Sequence, residues 1–204
     1  MSRFIEPVTL RGTHATLEPL SQSHVAGLAS AATDGDLHDL WYTSVANPSR
    51  MQDYVGAALK MRDEQGAMPF AARRSGDGGN GDGGDIVGST RYFNVDAKNR
   101  RLEIGHTWYA KRVQRTAFNT ECKLLLLTHA FATLRCIAVE FRTHWFNFAS
   151  RAAIARLGAK QDGILRNHQV LADGSKRDTV VFSIIDNEWP AVKRHLRFQL
   201  DKPR

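Results

Sequence analysis

Apolar and polar positions change period several times along this chain. "HATLEPL" (14–20) alternates up to Pro19 and predicts a short strand. In "SQSHVAGLASAA" the apolar Val25, Leu28 and Ala29 share one helical face, with Ser21 or Ser23 placed to cap it. The aromatic-rich "LWYTSV" (40–45) connects it to a second predicted helix over 49–66, begun by Ser49 and ended by Gly66. Strand patterning returns in "MPFAARR" (68–74), "DIVGSTRYFNVD" (85–96) and "RRLEIGHTWYA" (100–110). "CIAVEFRTHW" (136–145) is a further strand. "AKQDGILRNHQVL" and "RDTVVFSIID" read as a hairpin around "ADGS", because Asp-Gly tolerates positive φ. Helices are predicted over 119–134, capped by Asn119; over 147–158, capped by Asn147 and closed by Gly158; and over 187–200, with Pro190 in the first turn. Mixed helices and strands, with no repeat and no splitting linker, predict one α/β domain over 1–204.

Composition changes this picture little. Hydrophobic residues make up 42% of the 204 positions, enough for a core. Between 68–74 and 85–96 lies "SGDGGNGDGGD", with six glycines within nine residues. It is similar to one copy of a calcium-binding repeat, but a single copy reads as a flexible hairpin loop over 75–85. Cys122 and Cys136 form no Cys-x-x-Cys pair, so reduced core thiols are expected and no metal. No long apolar run opens the chain and none reaches membrane-spanning length, so neither signal peptide nor membrane is expected and the cytoplasm is the default.

Charge narrows the partners. Lys+Arg exceed Asp+Glu by 28 − 21 = +7, which favours anionic ligands. Nucleic acid is the weaker reading, since the cations are dispersed and no recognised nucleic-acid motif accompanies them. The unit most worth reading is strand, turn and helix over 101–134. Lys111, Arg112 and Arg115 precede a helix start, with no carboxylate before Glu121. A helix start offers unpaired N–H groups and partial positive charge, so added cations there point to an anion from outside the chain, such as a diphosphate.

The segments "LEIGHTWYAKRVQRTAFNTECKLLLLTHAF" and "NFASRAAIARLGA", in this order, resemble the GNAT N-acetyltransferase superfamily and within it the ribosomal-protein N-acetyltransferase branch. The resemblance implies a mixed, mostly antiparallel sheet of about seven strands flanked by helices. It implies acetyl-CoA as donor, no metal, and a primary-amine acceptor, and it leaves a homodimer open. The family's Gln/Arg-Gly-x-Gly/Ala turn stands here as Gln114-Arg115-Thr116-Ala117, without glycine. Arg115 is expected in ordinary dihedrals, with its side chain reaching a phosphate.

By resemblance, the diphosphate sits on the N–H groups of Gln114, Arg115, Thr116, Ala117, Phe118 and Asn119, and the pantetheine arm lies along Thr107, Trp108 and Tyr109. Asn147 contacts the arm as well as capping its helix. Glu103 is the candidate base, placed by alternation on the face of Gly105 and Thr107. Ser150 stands near the coenzyme sulfur as acid or positioning group. Trp41, Tyr42 and His106 border the acceptor pocket. Besides an N-acetyltransferase, a catalytically inactive acyl-CoA-binding module remains open, because both loop glycines are missing.

Overall fold

The computed structural model describes residues 4–43, 45–75 and 84–202. Most of the expected glycine-rich loop, residues 76–83, lies outside the described residues. Eight strands form one sheet: β1 (Leu10–Arg11), β2 (Ala15–Pro19), β3 (Met68–Arg74), β4 (Ile86–Asp96), β5 (Arg101–Tyr109), β6 (Ala138–His144), β7 (Lys160–Val170) and β8 (Lys176–Ile185), in the order 1-2-3-4-5-6-8-7. The expected count was about seven; the two-residue β1 is too short to show a period. Every neighbouring pair is antiparallel except β5–β6. The helices are α1 (Val25–Ala32), α2 (Met51–Gln65), α3 (Ala117–Thr128), α4 (Phe148–Ala155) and α5 (Trp189–Asp201). None is long and apolar enough to cross a membrane.

Alternation along β4 assigns the two faces of the sheet. Arg91 reaches Met61 of α2 through Nη1 (3.2 Å), whereas its neighbour Tyr92 donates its hydroxyl to the Leu126 carbonyl of α3 (2.7 Å). Leu102, Ile104, Tyr92, Leu126 and Leu127, all buried, fill the core under α3, with Phe70 edge-on to Tyr92. Cys122 and Cys136 are buried free thiols.

Two local irregularities shape the centre. First, β5 carries one residue more than β4 between paired positions: Ser89 faces Trp108, but Arg91 faces Gly105. The bulge contains His106, at φ +48°. An added residue reverses every later side chain. Trp108 therefore returns to the α2 face, where Nε1 donates to Tyr54 Oη (3.1 Å), and Thr107 turns to the α3 face. Gly88, at φ +156°, makes room for this step, since a Cβ there would stand 2.1 Å from the Trp108 carbonyl oxygen.

Second, β5 and β6 pair only at Arg101–Ala138, Leu102–Val139 and Glu103–Glu140. Beyond Glu103 they part, and a cavity of about 660 Å³ opens along the gap, lined by residues 104–109 of β5 and 141–144 of β6.

Candidate functional site

One end of the cavity is built by the start of α3. Thr116 caps the helix, its Oγ1 accepting from Phe118 N (3.2 Å) and donating to the Val113 carbonyl (2.7 Å). The helix thus begins at Ala117, and Asn119 is not its cap. Asparagine ranks somewhat above threonine as a cap, so local preference alone points to the wrong residue. Arg115 takes φ +59°, which corrects the expectation of ordinary dihedrals. It adopts the left-handed turn that glycine usually supplies, at a steric cost of about 1 kcal/mol.

The three cations of this segment part company. Arg115 lines the cavity. Arg112 instead donates to Asp34 Oδ2 (2.9 Å) and stands 3.7 Å from Asp85, so it belongs to an ion pair. Lys111 is exposed and outside the lining.

Asn119 and Lys123, one turn apart on α3, both face the cavity. Asn119 Oδ1 is buried without a partner among the described residues. Lys123 is buried, and Nζ donates to Thr107 Oγ1 (2.9 Å), which also meets Thr90 Oγ1 (2.7 Å). Burial pulls the Lys123 ammonium down to about 8. Tyr109, edge-on to Phe118 (5.1 Å), completes this wall, and Gln114 Nε2 donates to the Tyr109 carbonyl (2.8 Å). Phe118 is a core side chain and, with Thr116 and Ala117, is absent from the lining; these three offer only backbone at the helix start.

The opposite wall belongs to β6 and α4. Asn147 caps α4, its Oδ1 accepting from Ser150 N (3.0 Å), and both side chains line the cavity. His144 is buried, and Nδ1 accepts from Phe146 N (3.1 Å), which leaves the proton on Nε2, buried and unpartnered. Tyr42 lines the cavity. Trp41 does not; 59% exposed, it packs edge-on against His144 (5.0 Å) at the surface.

Glu103 lies beside the cavity rather than in it. It is 3% exposed, accepts from Asn94 Nδ2 (2.9 Å) and stands 3.5 Å from Arg142 Nε. Its small recess shares Arg142 with the cavity. The bulge corrects the expected face: Gly105 keeps company with Glu103, but Thr107 does not. Gly105 lines the cavity, and a Cβ there would stand 3.6 Å from Glu103 Oε1. The Phe93 ring is nearer still, at 2.7 Å from that Cβ, so Gly105 leaves room for the ring, with the carboxylate just behind the cavity wall.

Burial raises the Glu103 carboxyl to about 7, against the opposing pull of Asn94 and Arg142. Arg142 is a weak counter-ion because it donates to Glu140 at 2.9 Å, closer than to Glu103. His106 moves the other way, to about 4, through burial and then the charges of Arg91 and Arg177. At neutral pH the ring is uncharged and a poor proton acceptor. Of the two, Glu103 is the group poised near pH 7 to take a proton.

Sequence reasoning missed Lys123, Arg142 and Arg177 in the lining. The polar pair Asn119 and Lys123 at i,i+4 beside a leucine run was a readable signal for the first. No local pattern marks the arginines.

Comparisons with known proteins identify the family and the fold. The family described as "Acetyltransferase (GNAT) domain" matches residues 14–160. YdaF of Bacillus subtilis (strain 168), which carries the name of a ribosomal N-acetyltransferase, is 31% identical over 110 residues, 54% of this chain and 59% of YdaF. The match thus spans less than two thirds of that relative. A GCN5-related N-acetyltransferase from Brucella melitensis superposes with a TM-score of 0.83 at 29% identity, over 96% of this chain and 86% of that one. Mycobacterium smegmatis RimJ, solved with CoA-disulfide, shares the fold at a TM-score of 0.72 and 20% identity, over 95% and 93% of the two chains. With the family matching most of its length, and a parted strand pair beside a capped helix start at its centre, the chain belongs to the GNAT acetyltransferase family.

Proposed function

We propose that the protein transfers the acetyl group of acetyl-CoA to a primary amine by direct attack on the thioester. The observation that carries this reading is a single cavity joining the α3 start to the gap where β5 leaves β6, with a carboxyl poised near 7 beside it.

The residues suit the donor. The α3 start and the Arg115 guanidinium would hold the diphosphate. The unpartnered Asn119 Oδ1 would accept an N–H from the pantetheine arm, and Asn147 would face the arm from α4. Acetyl-CoA supplies the activated acyl carbon; the protein supplies position and proton handling.

Glu103 would take a proton from the incoming ammonium through a water at Gly105, because an ammonium has no lone pair to attack with. Backbone N–H groups near Tyr109 would face the carbonyl oxygen as it gains charge. Lys123 holds positive charge on the same side of β5, where developing negative charge is stabilised. Ser150 would orient the sulfur or a water beside it.

Acetyl-CoA at a hundred times its Kd is expected to add about 2.7 kcal/mol of stability, a rise of about 5–10 °C in Tm. Thiol release with a panel of amines then separates an enzyme from a coenzyme-binding module. An absent Tm rise with every acyl-CoA tried would end both readings.

Arg115→Gly tests the turn. Glycine relieves the left-handed strain, worth about 2–4 °C in Tm, while loss of the guanidinium weakens coenzyme binding about tenfold. Calorimetric titration with CoA reads the second effect, and an unchanged Kd would remove Arg115 from the phosphate site.

A further inference from the structure

The cavity lining has a one-sided charge. It contains Arg115, Lys123, Arg142 and Arg177, and among the described residues no aspartate or glutamate. Three of these cations have work elsewhere. Arg115 stands at the α3 start, Lys123 donates to Thr107, and Arg142 donates to Glu140. Arg177, on β8 opposite Gln169, has no such tie. It is half-buried, its Nε is buried without a hydrogen-bond partner, and no ion pair reaches it among the described residues.

Only the through-space charge of Glu103 offsets the burial of Arg177, and its Nε has no acceptor, so its place in a ligand cavity suits an anion. Its position is also informative. The Arg177 charge acts on Glu103, His106 and His144, which places it over the end where β5 and β6 part, around the base assigned above. A simple alkylammonium would meet only like charge on the lining there. The same amine with an anion attached would gain a partner for Arg177 and have its own charge offset on the way in.

We infer that the amine acceptor carries an anionic group, a carboxylate or a phosphate, and that Arg177 holds it while the amine faces Gly105 and the neighbouring Glu103. The inference rests on the transferase reading and narrows it to a substrate class. Planar, two-pronged donation to either oxyanion is what a guanidinium does better than an ammonium.

Matched acceptors test it. Thiol release at saturating acetyl-CoA is measured for α-amino acids against their carboxamides, and for phosphoethanolamine against ethanolamine. The first arm reads a carboxylate, the second a phosphate. In at least one arm the anionic member is expected to have a kcat/KM ten- to a hundredfold higher, mostly through KM. Arg177→Gln reduces that ratio to near one, and Arg177→Lys restores part of it. The coenzyme-induced rise in Tm, kept in both variants, shows that they fold and bind donor. Neutral members turned over as well as anionic ones, or a preference that survives Arg177→Gln, would overturn the assignment and leave the transferase reading standing. Turnover of no acceptor in either arm overturns it too. An absent Tm rise in the unaltered protein removes the transferase reading itself.

Discussion

Glu103→Gln is expected to lower kcat/KM by roughly 10²–10⁴-fold, the usual contribution of a positioned base. The amide keeps the shape and can still accept from Asn94, so the loss isolates proton transfer from packing. With the carboxyl held near 7, the unaltered enzyme gains activity as pH rises through about 7 and then levels off. That limb is absent in the variant. A limb set by the acceptor's own amine would survive the substitution and titrate with the amine chosen. An unchanged rate across the profile removes Glu103 from the chemistry.

The same substitution stabilises the fold, with a pH dependence of known sign. Below about 4.5 the carboxyl is protonated whether the chain is folded or not. Between 4.5 and about 7 the folded protein holds a proton that the unfolded chain releases, so rising pH favours unfolding. Above 7 the full cost of burying the carboxylate is present, roughly 3 kcal/mol. Glutamine has no such cost. Tm of Glu103→Gln should therefore exceed that of the unaltered protein by about 6–12 °C at pH 8 and by little at pH 5. Equal differences at the two pH values would show that Glu103 is not held protonated by burial. Loss of activity joined to gain of stability is the pattern of a group strained for function.

Period and cap chemistry made the main elements readable. Gly66 and Gly158 end their helices at φ +68° and +95°, and Asn147 caps α4 as its position predicts. What stayed hidden depends on partners far along the chain. The bulge in β5 is set by how β4 accommodates it, through Gly88 and the paired Ser89 and Arg91, so strict alternation put Thr107 on the wrong face. Arg115 in a glycine conformation is invisible to propensity, because the turn imposes it against preference. Lys111 and Arg112 read as ligand cations until Asp34, 78 residues before Arg112, appears beside it. Arg177 enters the site only because β6 separates from β5, an event no local pattern records.

Glu121→Gln is expected to destabilise the fold by roughly 3 kcal/mol, a fall of about 6–12 °C in Tm. The side chain is 7% exposed and reaches from α3 into the turn between β1 and β2. There Oε1 accepts from Thr13 N (2.9 Å), and Oε2 from His14 N (2.5 Å) and Ala15 N (2.8 Å). Glutamine turns an NH₂ toward at least one of these donors, leaving a buried N–H unpaired and facing another donor. Gly12 is part of the same device, since a Cβ there would stand 2.5–2.9 Å from the Glu121 carboxylate atoms. Gly12→Ala must displace that carboxylate and lose the same hydrogen bonds. The two substitutions are therefore non-additive: the double variant should lose clearly less than the sum of the singles in denaturant melts. Strict additivity would mean that Gly12 and Glu121 act independently. Because this clamp ties the β1–β2 turn to the first turns of α3, both singles should also weaken CoA binding, through the placement of the helix start.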